Sequence, residues 1–313
     1  MENLAPVVLF VYNRPNLTYQ TLNNLKKNKL AEQTDLYIFS DGSKDVNQVE
    51  KVSEVRRLIK GIDGFKKVEI VASELNKGLS TSIITGVTQI IKEYGRVIVL
   101  EDDLLTSRNF LTYMNEALKY YESNNQIWSI SGYSPNINFP ANYKRDLYLV
   151  PRACSWGWAT WENRWSLNDW SIRDYEDFKN NNEDRERFNL AGNDMAPMLD
   201  DQLKGIINSW AIRWCYNQFR HQSLTVYPRY SLVTNAGLTG DSATHGSFNK
   251  RFNVPLNEEH VFEFSNDLEM DINVVRAFAK NYNLTAVNYI GRALKRIGLY
   301  HKAKRMYKKI AKG

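Results

Sequence analysis

The stretch Val97-Ile98-Val99-Leu100-Glu101-Asp102-Asp103-Leu104 decides the fold. Four apolar residues, three of them β-branched, run straight into three consecutive carboxylates. Such a run reads as a strand buried on both faces. Three acids at its exit crowd negative charge at the rim of a sheet, where a cation is the natural companion. Oxygen ligands of this kind suit Mg²⁺ or Mn²⁺, commonly shared with a phosphate-bearing substrate. Taken alone, the triplet also fits a solvated acidic turn.

Working outward, the first 150 residues alternate strand and helix patterns. Val7 to Tyr12 is an apolar run, and Asn16 can cap a helix carrying Leu17, Leu22 and Leu25. Leu36 to Phe39 and Val68 to Val71 read as the second and third strands, separated by an amphipathic segment with Val49, Val52, Val55 and Leu58. Ser80 to Tyr94 carries Ile83, Ile84, Val87, Ile90 and Ile91 on one helical face. Arg108 to Tyr121 is again helical, and Ile127 to Ser131 is β-like. This alternation predicts an α/β fold with a mostly parallel sheet covered by helices on both faces. Ligands of such sheets bind outside the carboxyl ends of the strands. The exits are Asn13-Arg14-Pro15, then Asp41-Gly42-Ser43, then Asn76-Lys77-Gly78, then Glu101-Asp102-Asp103. All four are polar or charged and share one edge, which suits a nucleotide held with a cation. Neither G-x-G-x-x-G after the first strand nor a G-x-x-x-x-G-K-[ST] loop occurs. Dinucleotide dehydrogenases and P-loop NTPases are therefore disfavoured.

The chain has 313 residues and a net charge of +6. That average misleads. Residues 272–313 hold eleven Lys or Arg and no acid, leaving 30 basic against 35 acidic side chains elsewhere. Nucleic-acid binding by the body is thus not expected. Two cysteines, Cys154 and Cys215, form neither a metal-ligand spacing nor a disulfide framework. No apolar run approaches a membrane span, and Met1 to Ala5 lacks a basic leader, so a cytoplasmic protein is expected.

From Leu147 to Asp271 the character changes, with seven of the eight tryptophans falling there. Ring faces pack against the C–H faces of sugars, so Trp156, Trp158 and Trp210 are candidate saccharide contacts. A tryptophan-rich core is the alternative. Gly157 suggests close backbone approach. Ser209 to Phe219 reads as a helix, and Thr225 to Pro228 as a strand placed at an edge by its proline. Asn235 to Phe248 reads as a polar loop with Asp241 and His245.

The pattern Phe10-x-Tyr12-Asn13-Arg14-Pro15, Asp41-Gly42-Ser43 and Glu101-Asp102-Asp103-Leu104 resembles glycosyltransferases of the GT-A (Rossmann-like) fold. The likeness is to family 2-like enzymes of bacterial surface-polysaccharide synthesis and to the N-acetylglucosaminyltransferase I family. It spans most of residues 6–248. It includes Phe110-x-x-Tyr113, Ile127 to Ser131, Gly157-Trp158 and Ser242-x-x-His245-Gly246. The resemblance implies inverting transfer of a sugar from a nucleotide-diphosphate donor, a UDP-sugar, to a saccharide or lipid-linked saccharide acceptor. It places Asp103 on a divalent metal, Mn²⁺ or Mg²⁺, with His245 near the metal and diphosphate. Asp102 and Glu101 contact the donor's ribose, sugar or bound waters. Asn13, Arg14, Asp41, Lys77 and Gly78 belong to the nucleotide side, with Asp41 reaching the base edge.

An acceptor hydroxyl needs a general base. In the family this is an aspartate directly after a tryptophan, and the matching position here, after Trp210, is Ala211. Asp201, Asp200, Asp241 and Asp169 are the substitutes, with Asp201 favoured. Charge stabilisation of a helix start is the other reading of Asp200 and Asp201.

Residues 1–133 form the nucleotide-sugar half, 134–271 the acceptor and catalytic half of the same domain, and 272–313 a basic helical tail. A basic amphipathic tail suits an anionic membrane surface or simply solvation. Two other functions stay open. A nucleotidyltransferase making sugar nucleotides also uses acidic metal ligands but usually shows a basic glycine-rich loop. A non-catalytic carbohydrate-binding protein leaves the triplet without a role.

Overall fold

Val7–Val11 form β1 because five consecutive apolar side chains leave no face for water, and all five are buried. The computed structural model describes residues 4–238 and 251–285, with Gly291 and Leu294. Pro15–Lys26 is α1. It starts one residue before the expected Asn16 cap, because Pro15 takes the first helical position, where a missing N–H is harmless. Asp35–Ser40 is β2, Val49–Lys60 α2, Lys67–Ala72 β3, Leu79–Tyr94 α3 and Arg96–Glu101 β4. Leu104–Thr106 is β5, Phe110–Tyr120 α4 and Ile127–Ser131 β6. Leu147–Val150 is β7, Trp158–Trp161 β8, Glu162–Trp165 α5, Tyr175–Asn180 α6 and Asn182–Phe188 α7. Met195–Leu203 is α8, Trp210–Arg220 α9, Leu224–Pro228 β9, Val233–Asn235 β10 and Ile272–Ala279 α10.

Eight strands form one sheet in the order β3-β2-β1-β4-β8-β6-β9-β7. Strands β1 to β4 pair in parallel, as do β6 and β9. Only β8 and the edge strand β7 run antiparallel. The expected α/β fold, a mostly parallel sheet flanked by helices, is the one observed. The sheet crosses residue 133 without interruption, since β8 joins β4 to β6. A separate two-stranded ribbon pairs β5 with β10, setting Leu104 opposite Asn235.

Two expectations need correction. β9 is internal, flanked by β6 and β7. Pro228 is tolerated there because it is the last residue of the strand. The start of the expected tail belongs to the body: Val274, Val275 and Phe278 of α10 are buried, and the Phe278 ring packs on Tyr148 and Tyr227. The basic segment that follows, from residue 286, lies outside the described residues apart from Gly291 and Leu294. No helix among the described residues is long and apolar enough to cross a membrane.

The indoles gather where α9 meets the sheet. Trp158 lies 5.6 Å from Trp165, 5.2 Å from Trp210 and 5.5 Å from Trp214 between ring centroids. Trp128 lies 5.0 Å from Trp214. Arg213 of α9 donates to Ser80 Oγ at 2.6 Å, fastening this cluster to the start of α3.

Candidate active site

The parallel strands deliver their carboxyl ends to one edge, and a cavity of about 410 Å³ opens there. Its wall includes Asn13, Arg14, Asp41, Gly78, Glu101 and Asp102. Lys77, also expected on this side, is not part of that wall.

The centre of the site is Arg14. Its Nη1 donates to Asp103 Oδ2 at 2.8 Å, and its Nη2 donates to Asp102 Oδ1. The two acids are held unequally. Asp102 also accepts the Tyr12 N–H at 3.3 Å, and its carbonyl accepts the Thr21 hydroxyl of α1 at 3.0 Å. Its side chain is 3 % exposed. The Asp103 side chain is 13 % exposed and carries the single Arg14 contact. Burial pushes Glu101 up to about 8, helped by the charges of Asp103 and Asp102 and opposed by Arg14. Burial also lifts Asp102 to about 6 against the pull of Arg14. Crowding acids at a desolvated strand end makes their full ionisation costly, and nearby positive charge relieves that cost. Arg14 itself stays charged, because the two carboxylates outweigh the burial that works against it.

Asp41 organises the far wall. Its Oδ1 accepts N–H groups of Gly42 and Lys77 at 2.9 Å each, and Oδ2 accepts the Gly78 N–H at 2.9 Å. The carboxylate thus pins the loop before α3 and keeps little acceptor capacity for a ligand. Gly78, at φ 74°, turns the chain into α3. Lys77 enters through its backbone. Asn13 donates its amide to Gln48 Oε1. Arg56 escaped the sequence reading, which followed only the apolar positions of α2. Its guanidinium donates to Ser73 O at 2.6 Å and Asp41 O at 3.2 Å, tying the ends of β2 and β3 together.

A second missed element borders Asp103. The Ala236 N–H donates to Asp103 O at 2.8 Å. A Cβ added at Gly237 would lie 2.7 Å from Asp103 Oδ2 and 3.1 Å from Asn235 Oδ1. Gly237 thus lets the chain pack directly on the Asp103 carboxylate, and Asn235 Oδ1 accepts the Gly237 N–H at 2.8 Å. The carboxylate and amide oxygens gathered here are hard donors of the type a Mg²⁺-like ion takes. Among the described residues no three His, Cys, Asp or Glu side chains converge into a preformed cage. Asp241 and His245 lie outside the described residues.

Leu238, the residue after Gly237, lines a neighbouring cavity of about 320 Å³. Tyr133, Trp156, Ser209, Ala211, Phe252 and Tyr282 contribute to its wall. Trp156 stands edge-on to Tyr133 at 4.8 Å. Trp158 and Trp210, expected as saccharide contacts, are 1 % and 3 % exposed. They are core residues, because the apolar underside of α9 must be covered. Asp200 is corrected likewise: its carboxylate accepts both Arg185 nitrogens, at 2.9 and 2.8 Å, and the Tyr175 hydroxyl at 3.0 Å. It lines neither cavity. Asp201 is 7 % exposed and also stands outside both walls. Asp169 accepts the N–H groups of Ser171 and Arg173 in its own turn.

The mostly parallel α/β sheet thus sets an Arg-bridged acidic strand end beside a cavity of about 410 Å³. The chain belongs to glycosyl transferase family 2, whose family model matches residues 7–186. Solved structures similar to it include a mannosyltransferase from Pyrobaculum calidifontis in complex with GDP-Man and Mn²⁺. That match has 16 % identity, a TM-score of 0.35, and covers 51 % of this chain and 48 % of that one. TarS 1-349 of S. aureus matches at 10 % identity with a TM-score of 0.39, covering 74 % and 61 %. A UDP-glucose pyrophosphorylase complexed with UDP-glucose matches at 11 % identity and 0.38, covering 75 % and 94 %. At such scores these likenesses carry no weight for activity, and family membership rests on the family model. The chain spans 48 % and 61 % of the lengths of the mannosyltransferase and TarS structures. A search of curated proteins gives no match.

Proposed function

We propose that this enzyme is a metal-dependent inverting glycosyltransferase using a nucleotide-diphosphate sugar, with a UDP-sugar as the donor of choice. The acceptor is a saccharide or lipid-linked saccharide of bacterial surface-polysaccharide assembly. The observation that carries this reading is the unequal hold on the acidic triplet: Asp102 is buried and fixed by three partners, while Asp103 is the more exposed acid and its side chain rests on Arg14. The nucleoside occupies the cavity between Asp41 and Arg14, and its diphosphate extends toward Asp103. Asp103, with His245 as a further ligand, would hold Mn²⁺ or Mg²⁺, which would supply positive charge against the negative charge that develops on the leaving diphosphate.

The remaining work falls to the protein. Arg56 and Asp41 fix the shape of the nucleoside cavity. Glu101 and Asp102 orient the donor's polar groups. The acceptor enters from the Trp156 cavity, whose wall carries the rings of Tyr133, Trp156, Tyr227, Phe252 and Tyr282. Ala211, in the wall of this cavity, carries no base. The proton of the acceptor hydroxyl is assigned to Asp241, or to Asp201 through a relay, since Asp201 lines neither cavity. Work at the inner face of the cell membrane, with the basic tail on anionic lipid, completes the reading.

Calorimetric titration with UDP and GDP, with and without Mn²⁺, tests it. A screen of nucleotide sugars for donor hydrolysis follows, repeated on Asp103→Ala. We expect Mn²⁺-dependent nucleotide binding and hydrolysis of one uridine donor, both lost in Asp103→Ala. Binding and hydrolysis unchanged in that variant remove Asp103 from the metal and overturn the reading.

A further inference from the structure

We infer that Arg14 is a built-in counter-ion for the acidic triplet that a divalent cation must displace from Asp103, so that the cation binds well only together with a nucleoside diphosphate. The inference rests on the metal-site reading of Asp103 and concerns what controls that site.

The geometry is asymmetric in the way such a device needs. The backbone beneath Arg14 is fixed, since its carbonyl accepts the Thr18 N–H and the Thr18 hydroxyl, each at 2.9 Å. One guanidinium nitrogen is anchored on Asp102, itself held from Tyr12 and buried. The other nitrogen rests on Asp103, the more exposed acid. The guanidinium can keep its grip on Asp102 while Nη1 lets Asp103 go. Its side chain is 28 % exposed and lines the nucleotide-sized cavity, so a phosphate oxygen arriving there can take over Nη1.

Charge decides the order of events. Asp102 and Asp103 are the two acids that Arg14 touches, and its single positive charge answers both. A cation entering alone meets a fixed positive group on its main ligand and must leave that guanidinium with one acid fewer. Like charges a few ångströms apart repel strongly even at an effective dielectric of about 20. A diphosphate removes the conflict. It offers acceptors to Nη1 and ligands to the cation together, and the arginine fork matches phosphate oxygens well. Donor binding and cation binding thereby reinforce each other, with reciprocal gains in affinity.

The test measures Mn²⁺ directly, by electron paramagnetic resonance of free and bound ion, in the intact protein with and without UDP. In the wild type we expect weak Mn²⁺ binding that UDP strengthens by about tenfold or more. In Arg14→Gln we expect nucleotide-free Mn²⁺ binding to tighten by about tenfold or more, with the gain from UDP largely lost. Mn²⁺ should also raise the melting temperature of Arg14→Gln more than that of the wild type, because the ion replaces the missing counter-charge. If Arg14→Gln does not fold, Arg14→Lys carries the test. An ammonium cannot bridge both acids as the planar fork does, so nucleotide-free Mn²⁺ binding should still exceed that of the wild type. Binding no tighter than wild type in the folded variant overturns the role of Arg14. If Asp103→Asn then abolishes Mn²⁺ binding in the wild-type background, the metal-site reading survives that failure. If no Mn²⁺ binds in any background even with UDP, the metal-site reading itself falls.

Discussion

Replacing Gly237 with alanine perturbs the acidic site through one methyl group. The added Cβ stands 2.7 Å from Asp103 Oδ2, against an ordinary contact near 3.4 Å, so the carboxylate must move by about 0.7 Å. It cannot move freely: Arg14 holds Oδ2 at 2.8 Å, and Ala236 N–H holds the residue's carbonyl at 2.8 Å. A misplacement of about 1 Å at a reacting centre costs about 100-fold in rate, so this shift should cost about 20-fold. The stability change is small by comparison. Overpacking costs about 1–3 kcal/mol. A less flexible unfolded chain returns about 0.4–1 kcal/mol. Gly237 is not among the glycines with positive φ, so alanine meets no backbone strain. For a chain of this size a net loss near 1 kcal/mol lowers Tm by about 2 °C. The assay pairs Mn²⁺-dependent donor hydrolysis with a thermal melt. Wild-type turnover in a folded Gly237→Ala protein would refute the claim that Asp103 must stand where it does.

Other outcomes follow from the same geometry. Arg56→Met cuts the tie between β2 and β3, and nucleotide affinity measured by calorimetry should fall by about tenfold, as a hydrogen-bonded charge on three backbone and side-chain oxygens is lost. Trp158→Ala should cost about 3–5 kcal/mol of stability by denaturant titration. Trp156→Ala should instead raise the acceptor KM with little change in the midpoint, and the opposite pattern would refute the division between core and cavity. Asp200 is held below the usual carboxylate range: burial works to raise it, and Arg185 and Tyr175 overcome that. Its stabilising contribution is present above the unfolded value near 4 and is lost as pH falls through the lower folded value. Acid unfolding of Asp200→Asn should therefore show a shallower pH dependence than the wild type below about pH 4.

The sheet was legible because long β-branched runs such as Val97 to Leu100 admit one environment, and the acids after them mark one edge. Arg14, Asp41 and the triplet could be assembled from the rule that parallel strands end together. What could not be read follows from pairing across distance. The β5–β10 ribbon brings Asn235 and Gly237 to Asp103, yet short strands of three residues carry no periodicity. Arg56 looked like a solvated helix position, because hydrogen bonds to distant carbonyls leave no mark on spacing. Trp158 and Trp210 share a composition with sugar platforms, and burial alone separates the two roles. Asp200 looked poised as a base, but its partner Arg185 comes from another helix.

The packed indoles give the enzyme an optical property. With Trp158, Trp165, Trp210 and Trp214 at centroid spacings of 5.0 to 5.6 Å, excitation of one ring is shared among its neighbours. Emission and near-ultraviolet dichroism then report on the group as a single chromophore. Because Arg213 couples this group to the start of α3, beside the cavity lined by Arg14 and Asp41, filling that cavity should register as a spectroscopic signal without any added dye.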